Sequence, residues 1–189
     1  GLYLRLGFVP APYGLIEGTG QVEAGHWLEV RPGHAPRSVV FRPPLSAPPA
    51  EDRLYGRDAD DAVAELVDRS VARKLVADVP VGVFLSGGVD SPLVAGAMVE
   101  ATDRTVPAFS IGTDDPVSDE SAAATVYARH FGVEHHLRQI QGDQAVGLLD
   151  DVARAYPEPF GDYSAFPTLL VSALASEHVK CVLSGDGGD

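Results

Sequence analysis

One cysteine, one methionine and one tryptophan among 189 residues leave little material for disulfides, thiolate ligands or aromatic platforms. With Cys181 alone, an internal disulfide framework and a cysteine-based zinc ribbon are excluded; the chain fits a reducing compartment, and secretion gains no support. Positive charge is scarce as well. The 14 Lys and Arg face 27 Asp and Glu, a net charge of −13 that repels phosphate backbones and anionic lipid headgroups at long range. Neither nucleic acid nor a membrane is therefore an expected partner, and no apolar run approaches the roughly 20 residues of a membrane span. The start, Gly1 to Phe8, lacks a charged leader with a cleavage site, and the only methionine is Met98, so the chain is expected to be a segment of a longer cytoplasmic protein. What is abundant is apolar and turn-forming: 45% hydrophobic residues, 20 glycines and 15 prolines, enough for one substantial core and a smaller second one.

Charge divides the chain unevenly. Residues 1–50 hold four arginines and three glutamates, a sum of +1, which leaves −14 for residues 51–189. Between the two parts runs Pro43-Pro44-Leu45-Ser46-Ala47-Pro48-Pro49-Ala50, whose prolines fix φ and remove backbone donors, favouring an extended spacer. The expected organisation is a β-rich remnant over 1–45, a linker over 46–57 and a second domain over 58–189. In the remnant, His26–Val30 and Ser38–Phe41 read as strands. Beyond the linker, Val63, Leu66, Val67, Val71 and Leu75 recur at helical spacing and predict an amphipathic helix over 60–77. Val81–Leu85 is an apolar run of the length of a strand buried on both faces. Helices are expected over 92–101, 120–131, 143–155 and 165–177, with strands over 106–111, 133–137 and 179–183. Strands alternating with helices of this length predict an α/β fold, a parallel sheet with helices on both faces and ligands at the carboxyl ends of its strands.

The chemistry concentrates in two loops. Ser86-Gly87-Gly88-Val89-Asp90-Ser91 lies between a strand and a helix, where paired glycines bring amide N–H groups close to an anion and the helix start adds positive charge. It has neither the lysine and spacing of a Walker loop nor a G-x-G-x-x-G fingerprint. The plainer alternative is a serine–glycine turn with a helix cap. A carboxylate beside phosphates needs an intervening cation, and Mg²⁺ uses one or two protein carboxylates plus phosphate oxygens. The second loop, Ser184-Gly185-Asp186-Gly187-Gly188-Asp189, follows the last strand, so Asp90 and Asp189 are candidate partners on one metal; alone, it also reads as a solvent turn.

L-S-G-G-V-D-S followed later by L-S-G-D-G-G-D resembles the synthetase domain of glutamine-hydrolysing asparagine synthetases, a branch of the N-type ATP pyrophosphatases. The resemblance continues through Phe109-Ser110-Ile111-Gly112, Asp119-Glu120-Ser121, His135-His136 and Glu158-Pro159-Phe160-Gly161-Asp162, covering most of 58–189. Residues 1–45 resemble the end of the family's N-terminal-nucleophile glutaminase domain, whose cysteine is not in this sequence. The resemblance implies an adenine-nucleotide-hydrolase-like fold and a ligase that uses ATP and Mg²⁺. ATP would activate a carboxylate as an acyl-adenylate with release of pyrophosphate, and ammonia derived from glutamine would then displace AMP. Aspartate is the default acceptor, and another carboxylate stays open. By family position, Leu85 and Ile111 would hold the adenine through backbone groups. Ser86, Gly87, Gly88, Asp90, Ser91, Ser184 and Gly185 would line the rest of the nucleotide site, with Mg²⁺ on Asp90 and Asp189. Asp186 falls where the family often has Glu, the acid associated with accepting a proton from the incoming nitrogen; one methylene less moves the carboxylate by about an ångström.

The same residues also resemble amidotransferases of exopolysaccharide and exosortase loci and a β-lactam synthetase-like cyclase, while the S-G-D-G-G-D loop speaks against a GMP or NAD synthetase. A non-enzymatic alternative is an inactive nucleotide-binding fragment, since the family places further acceptor-pocket residues downstream. There is room for a homodimer. Asp119-Glu120-Ser121 reads first as a helix cap, His135-His136 as packing rather than a metal site, Cys181 as a buried small hydrophobe, and Pro92 as the first residue of its helix. The stretch 160–168 is a candidate border of the acceptor pocket.

Overall fold

The computed structural model describes all residues except 44, 45, 47, 48, 142–146, 157 and 187–189. Residues 44 and 45 of the expected remnant, 47 and 48 of the expected linker, and the metal candidate Asp189 thus lie outside the described residues. The chain forms two compact units: Gly1–Arg53 with Ala153–Tyr163, and Leu54–Val152 with Ser164–Asp189.

In the first unit, a short helix α1 (Leu2–Leu6) stops at Gly7, whose φ of 78° needs a residue without a side chain; its N–H returns to the Tyr3 carbonyl. Strands β1 (His26–Glu29) and β2 (Arg37–Val40) pair antiparallel, Trp27 opposite Val39, where the sequence predicts strands. The segment 153–163 belongs to this unit through polar contacts. Gln21 Nε2 donates to Glu158 Oε2 at 2.9 Å and to the Val9 carbonyl at 3.1 Å, and the Gly161 N–H donates to the Gly7 carbonyl at 2.7 Å.

The second unit opens with α2 (Arg57–Lys74), carrying Asp58 and Asp60 in its first turn and Arg73 and Lys74 in its last, which complement the helix dipole. Then follow β3 (Val81–Phe84), α3 (Asp90–Ala101), β4 (Pro107–Thr113), α4 (Ser121–Phe131) and β5 (Glu134–Ile140). Helix α5 (Leu149–Ala155), whose last residues are counted with the first unit, helix α6 (Ala165–Ser176) and strand β6 (Cys181–Leu183) follow. The helix expected over 143–155 is observed from Leu149, and 142–146 fall outside the described residues.

The four strands of this unit are parallel in the order β5-β4-β3-β6, with Val83 paired to Ala108 on one side and Leu183 on the other. Alternation along the strands separates two cores. Val83, Leu85 and Ala108 face one way and pack with Val71 of α2, Ala95 and Met98 of α3, and Ala124 and Ala128 of α4. Phe84, Phe109 and Ile111 face the other way and pack with Leu174 and Ala175 of α6. The predicted α/β fold with both sheet faces covered is what the structure has.

Three local readings need correction. Val63 and Leu66 are exposed, so the apolar stripe of α2 narrows to Val67, Val71 and Leu75. Pro92 sits third in α3 rather than first, still within the first turn, where no helical acceptor exists for a backbone N–H. Cys181 is exposed, not buried: it opens β6, which has one paired neighbour among the described strands, and apolar flanking residues do not decide burial on an edge.

Candidate functional site

Chain direction explains where the site lies. From β3 the chain moves outward through β4 to β5, then returns to place β6 on the opposite side of β3. The strand order therefore reverses between β3 and β6, and their carboxyl ends open onto a crevice. The two glycine-rich loops leave from those two strand ends. Their closeness is measured at Gly185: a Cβ there would stand 2.7 Å from Asp90 Cβ and 2.9 Å from the Ser91 nitrogen. Only a glycine lets the second loop lie against the first.

Beside them is a cavity of about 560 Å³. Leu85, Ser86, Gly88, Asp90 and Ser91 line it from the first loop, Ser184, Gly185 and Asp186 from the second, and Ile111 from β4. The expected site residues are thus brought together, apart from Gly87, which is not in the lining, and Asp189, which lies outside the described residues. Of the stretch 160–168, the lining takes Ser164, Pro167 and Thr168, while Gly161 bonds within the first unit, as does Glu158 just before the stretch.

The first loop is held by its own side chains. The Ser86 N–H donates to Ser91 Oγ at 2.9 Å, the two hydroxyls lie 2.8 Å apart, and the Gly88 N–H reaches Ser86 Oγ at 3.3 Å. Helix α3 begins without a side-chain cap, so the plain capping alternative for these serines does not hold. The Gly87 N–H donates to Glu120 Oε2 at 3.0 Å, which shows that this amide can donate to an anionic oxygen. Hydroxyls, glycine amides and the start of a twelve-residue helix make a donor set that fits phosphate oxygens. Asp90 and Asp186 supply carboxylates on the same cavity, the number Mg²⁺ typically takes beside phosphate. Among the described residues no group of three or more His, Cys, Asp or Glu is arranged to hold a metal by itself. In the second loop, the Ser184 hydroxyl donates to Asp186 Oδ2 at 2.8 Å.

A buried relay supports the cavity wall. Ser110 Oγ donates to the Leu85 carbonyl at 2.6 Å, and His135 Nε2 lies 2.8 Å from the same oxygen. The serine proton being committed to Leu85, His135 must donate, which fixes its Nε2 as protonated. Burial, with the neighbouring His136, holds the His135 imidazole below its ordinary pKa. The Leu85 N–H is itself bonded to the Phe109 carbonyl at 2.9 Å, so only the second carbonyl lone pair of Leu85 remains for a ligand. His136 points the other way and stacks on Phe109 and His178, ring centres 5.2 and 3.9 Å apart.

At the start of α4 the three acidic-motif residues divide their work. Asp119 Oδ1 accepts from the Ser121 N–H at 3.1 Å and its Oδ2 from the Ser121 hydroxyl at 2.9 Å. These bonds keep the Asp119 carboxyl below its usual range, as Ser118 and the Val117 N–H do for Asp115. The Glu120 carboxylate takes no part in capping and faces the first loop. Sequence reasoning did not place Ser110 or Ser118 on the site, whereas Ser164 and Thr168 fall in the stretch 160–168 expected to border the acceptor pocket. The available signal for Ser110 was a hydroxyl inside an otherwise apolar strand, where a buried oxygen needs a partner.

Comparison with known proteins matches the asparagine synthase family over residues 62–189. The chain belongs to the asparagine synthase family. A putative glutamine-hydrolysing asparagine synthetase of Methanocaldococcus jannaschii is 36% identical over 199 residues, an alignment covering 100% of this chain and 36% of that protein. Asparagine synthetase 1 of Bacillus subtilis is 29% identical over 188 residues, covering 99% of the chain and 29% of the relative. The chain thus spans about a third of these family members. Among solved structures, an NMN synthetase from Francisella tularensis superposes with a TM-score of 0.45 and 16% identity over 65% of this chain and 52% of that one. That likeness is too slight to bear on function. No helix among the described residues is long and apolar enough to cross a membrane.

Proposed function

We propose that the protein carrying this chain is an ATP-dependent carbon–nitrogen ligase. In this reaction a carboxylate attacks the α-phosphorus of ATP, pyrophosphate leaves, and ammonia released from glutamine displaces AMP to give an amide. The observation that carries this reading is the contact of the loops 86–91 and 184–186 at the reversal between β3 and β6. The first loop holds the departing diphosphate: the Ser86 and Ser91 hydroxyls and the Gly88 amide, bonded to one another in the loop, are donors that would turn to the phosphate oxygens and oppose the charge that accumulates as the α-phosphorus bond breaks. Leu85 and Ile111 flank the base. Mg²⁺ on Asp90, with Asp189, would neutralise the same charge. Asp186, positioned by the Ser184 hydroxyl, accepts a proton from the incoming nitrogen.

Aspartate is the acceptor assigned first, consistent with the names of the relatives. Incubating the full-length protein with Mg·ATP, aspartate and ammonium tests this. AMP, pyrophosphate and asparagine should form in equal amounts. AMP and pyrophosphate with a different carboxylate only would keep the chemistry and replace the acceptor, whereas ADP and phosphate would remove the reaction class.

A further inference from the structure

Glu120 belongs to a motif whose capping work is done entirely by its neighbour. Asp119 engages the backbone N–H of Ser121, the Ser121 hydroxyl and the Thr113 N–H at 3.3 Å, and α4 takes no side-chain cap from Glu120. The Glu120 carboxylate instead crosses 33 residues of sequence to the Gly87 N–H and lines the cavity together with Asp90, Ser86 and Ser91. The approach is close along the whole side chain. A Cβ on Gly87 would lie 3.1 Å from Glu120 Cβ and 3.0 Å from Ala123 Cβ, so the loop is shaped to bring this amide to this carboxylate. Glu120 is nevertheless exposed, and its carboxylate can exchange the amide for water at small cost.

A carboxylate oxygen and a phosphate oxygen are alternative acceptors for one amide hydrogen, and both are negative. We infer that Glu120 is an internal competitor of the polyphosphate, occupying the Gly87 amide and repelling the ligand, so that it sets how tightly the loop holds nucleotide and diphosphate. The inference rests on the nucleotide reading above and deepens it. A weaker grip on diphosphate is useful in a site that must release it, because the returning carboxylate takes the same amide that the product leaves.

Equilibrium titration of the full-length protein with three probes separates the possibilities: Mg·ATP, inorganic pyrophosphate with Mg²⁺, and adenosine. Glu120→Gln keeps the length and an acceptor oxygen but removes the charge. It should tighten ATP and pyrophosphate by about three- to tenfold and leave adenosine unchanged, with the gain shrinking toward none in 1 M salt. Glu120→Ala, which also frees the amide, should tighten them at least as much. A purely structural Glu120 would weaken all three probes together, and a Glu120 that assists a cation would weaken ATP and pyrophosphate alone; either result overturns the inference, as does unchanged affinity. Wild-type protein that binds neither ATP nor pyrophosphate would remove the nucleotide reading itself, a result distinct from wild-type binding that Glu120→Gln fails to tighten.

Discussion

Replacing Ser110 with alanine probes the wall of the cavity more sharply than any other single change in the sheet. Ser110 and Leu85 are each only 3% exposed, and one hydroxyl serves two partners, the Leu85 carbonyl at 2.6 Å and His135 Nε2 at 2.8 Å. Ser110→Ala keeps the backbone and nearly the volume, so the loss is polar. A buried group left without its partner costs about 1–3 kcal/mol. His135 is only half-buried and can turn toward water, so the penalty falls mainly on the Leu85 carbonyl, for a total of about 2 kcal/mol. In urea the midpoint should fall with the slope unchanged, and the thermal midpoint should drop by roughly 4–8 °C. Because Leu85 and Ser110 line the cavity, ATP affinity should fall as well. A double-mutant cycle with His135→Phe should give a coupling of at least about 0.5 kcal/mol. Ser110→Ala within about 0.5 kcal/mol of wild type would refute the relay.

His135 gives the same relay a pH dependence. Its folded-state pKa lies below the ordinary value, so the unfolded chain takes up the proton first; the stability it contributes is full above about pH 6.5 and is lost as pH falls through the folded value. His135→Gln, which can still donate to Ser110, should flatten the slope of urea midpoint against pH below about 6.5, and an unchanged slope would count against it. Gly82→Ala tests the packing of β3 on β4: the added Cβ would lie 2.6 Å from Phe109 Cε2 and 3.0 Å from the Pro107 carbonyl. An overpacking loss of about 1–3 kcal/mol is expected in urea denaturation, and wild-type stability would show that the sheet yields there.

The alternation of strands and helices could be read from local pattern because each buried strand carries its own signature. Val81–Leu85 is apolar on both faces, and such a run has few other uses. The two loops were equally visible, since glycine and serine after a buried strand have a mechanical purpose. What local pattern cannot carry is which strand neighbours which. That β6 lies beside β3 depends on a crossover of many residues, and only this adjacency brings Gly185 against Asp90. The same limit hid Glu120: the pairing with Gly87 spans two elements, and from sequence alone its motif looked like a cap, the work that Asp119 does. Cys181 was misread because Val179, Val182 and Leu183 signal a core strand without saying that the strand stands at an edge. Helix α1 was missed for another reason: five residues are too few to show helical periodicity, and its boundary rests on Gly7.

The contact of the two loops is best tested at Gly185, whose substitution removes no charged side chain and presses directly on the first loop. Gly185→Ala sets a methyl 2.7 Å from Asp90 Cβ and 2.9 Å from the Ser91 nitrogen, so one loop must move away from the other. With an overpacking penalty of about 1–3 kcal/mol falling on the bound geometry, Mg·ATP affinity measured by calorimetric titration should drop about tenfold or more while adenosine affinity stays near wild type. ATP affinity equal to that of the wild type would mean that the two loops do not hold one polyphosphate between them.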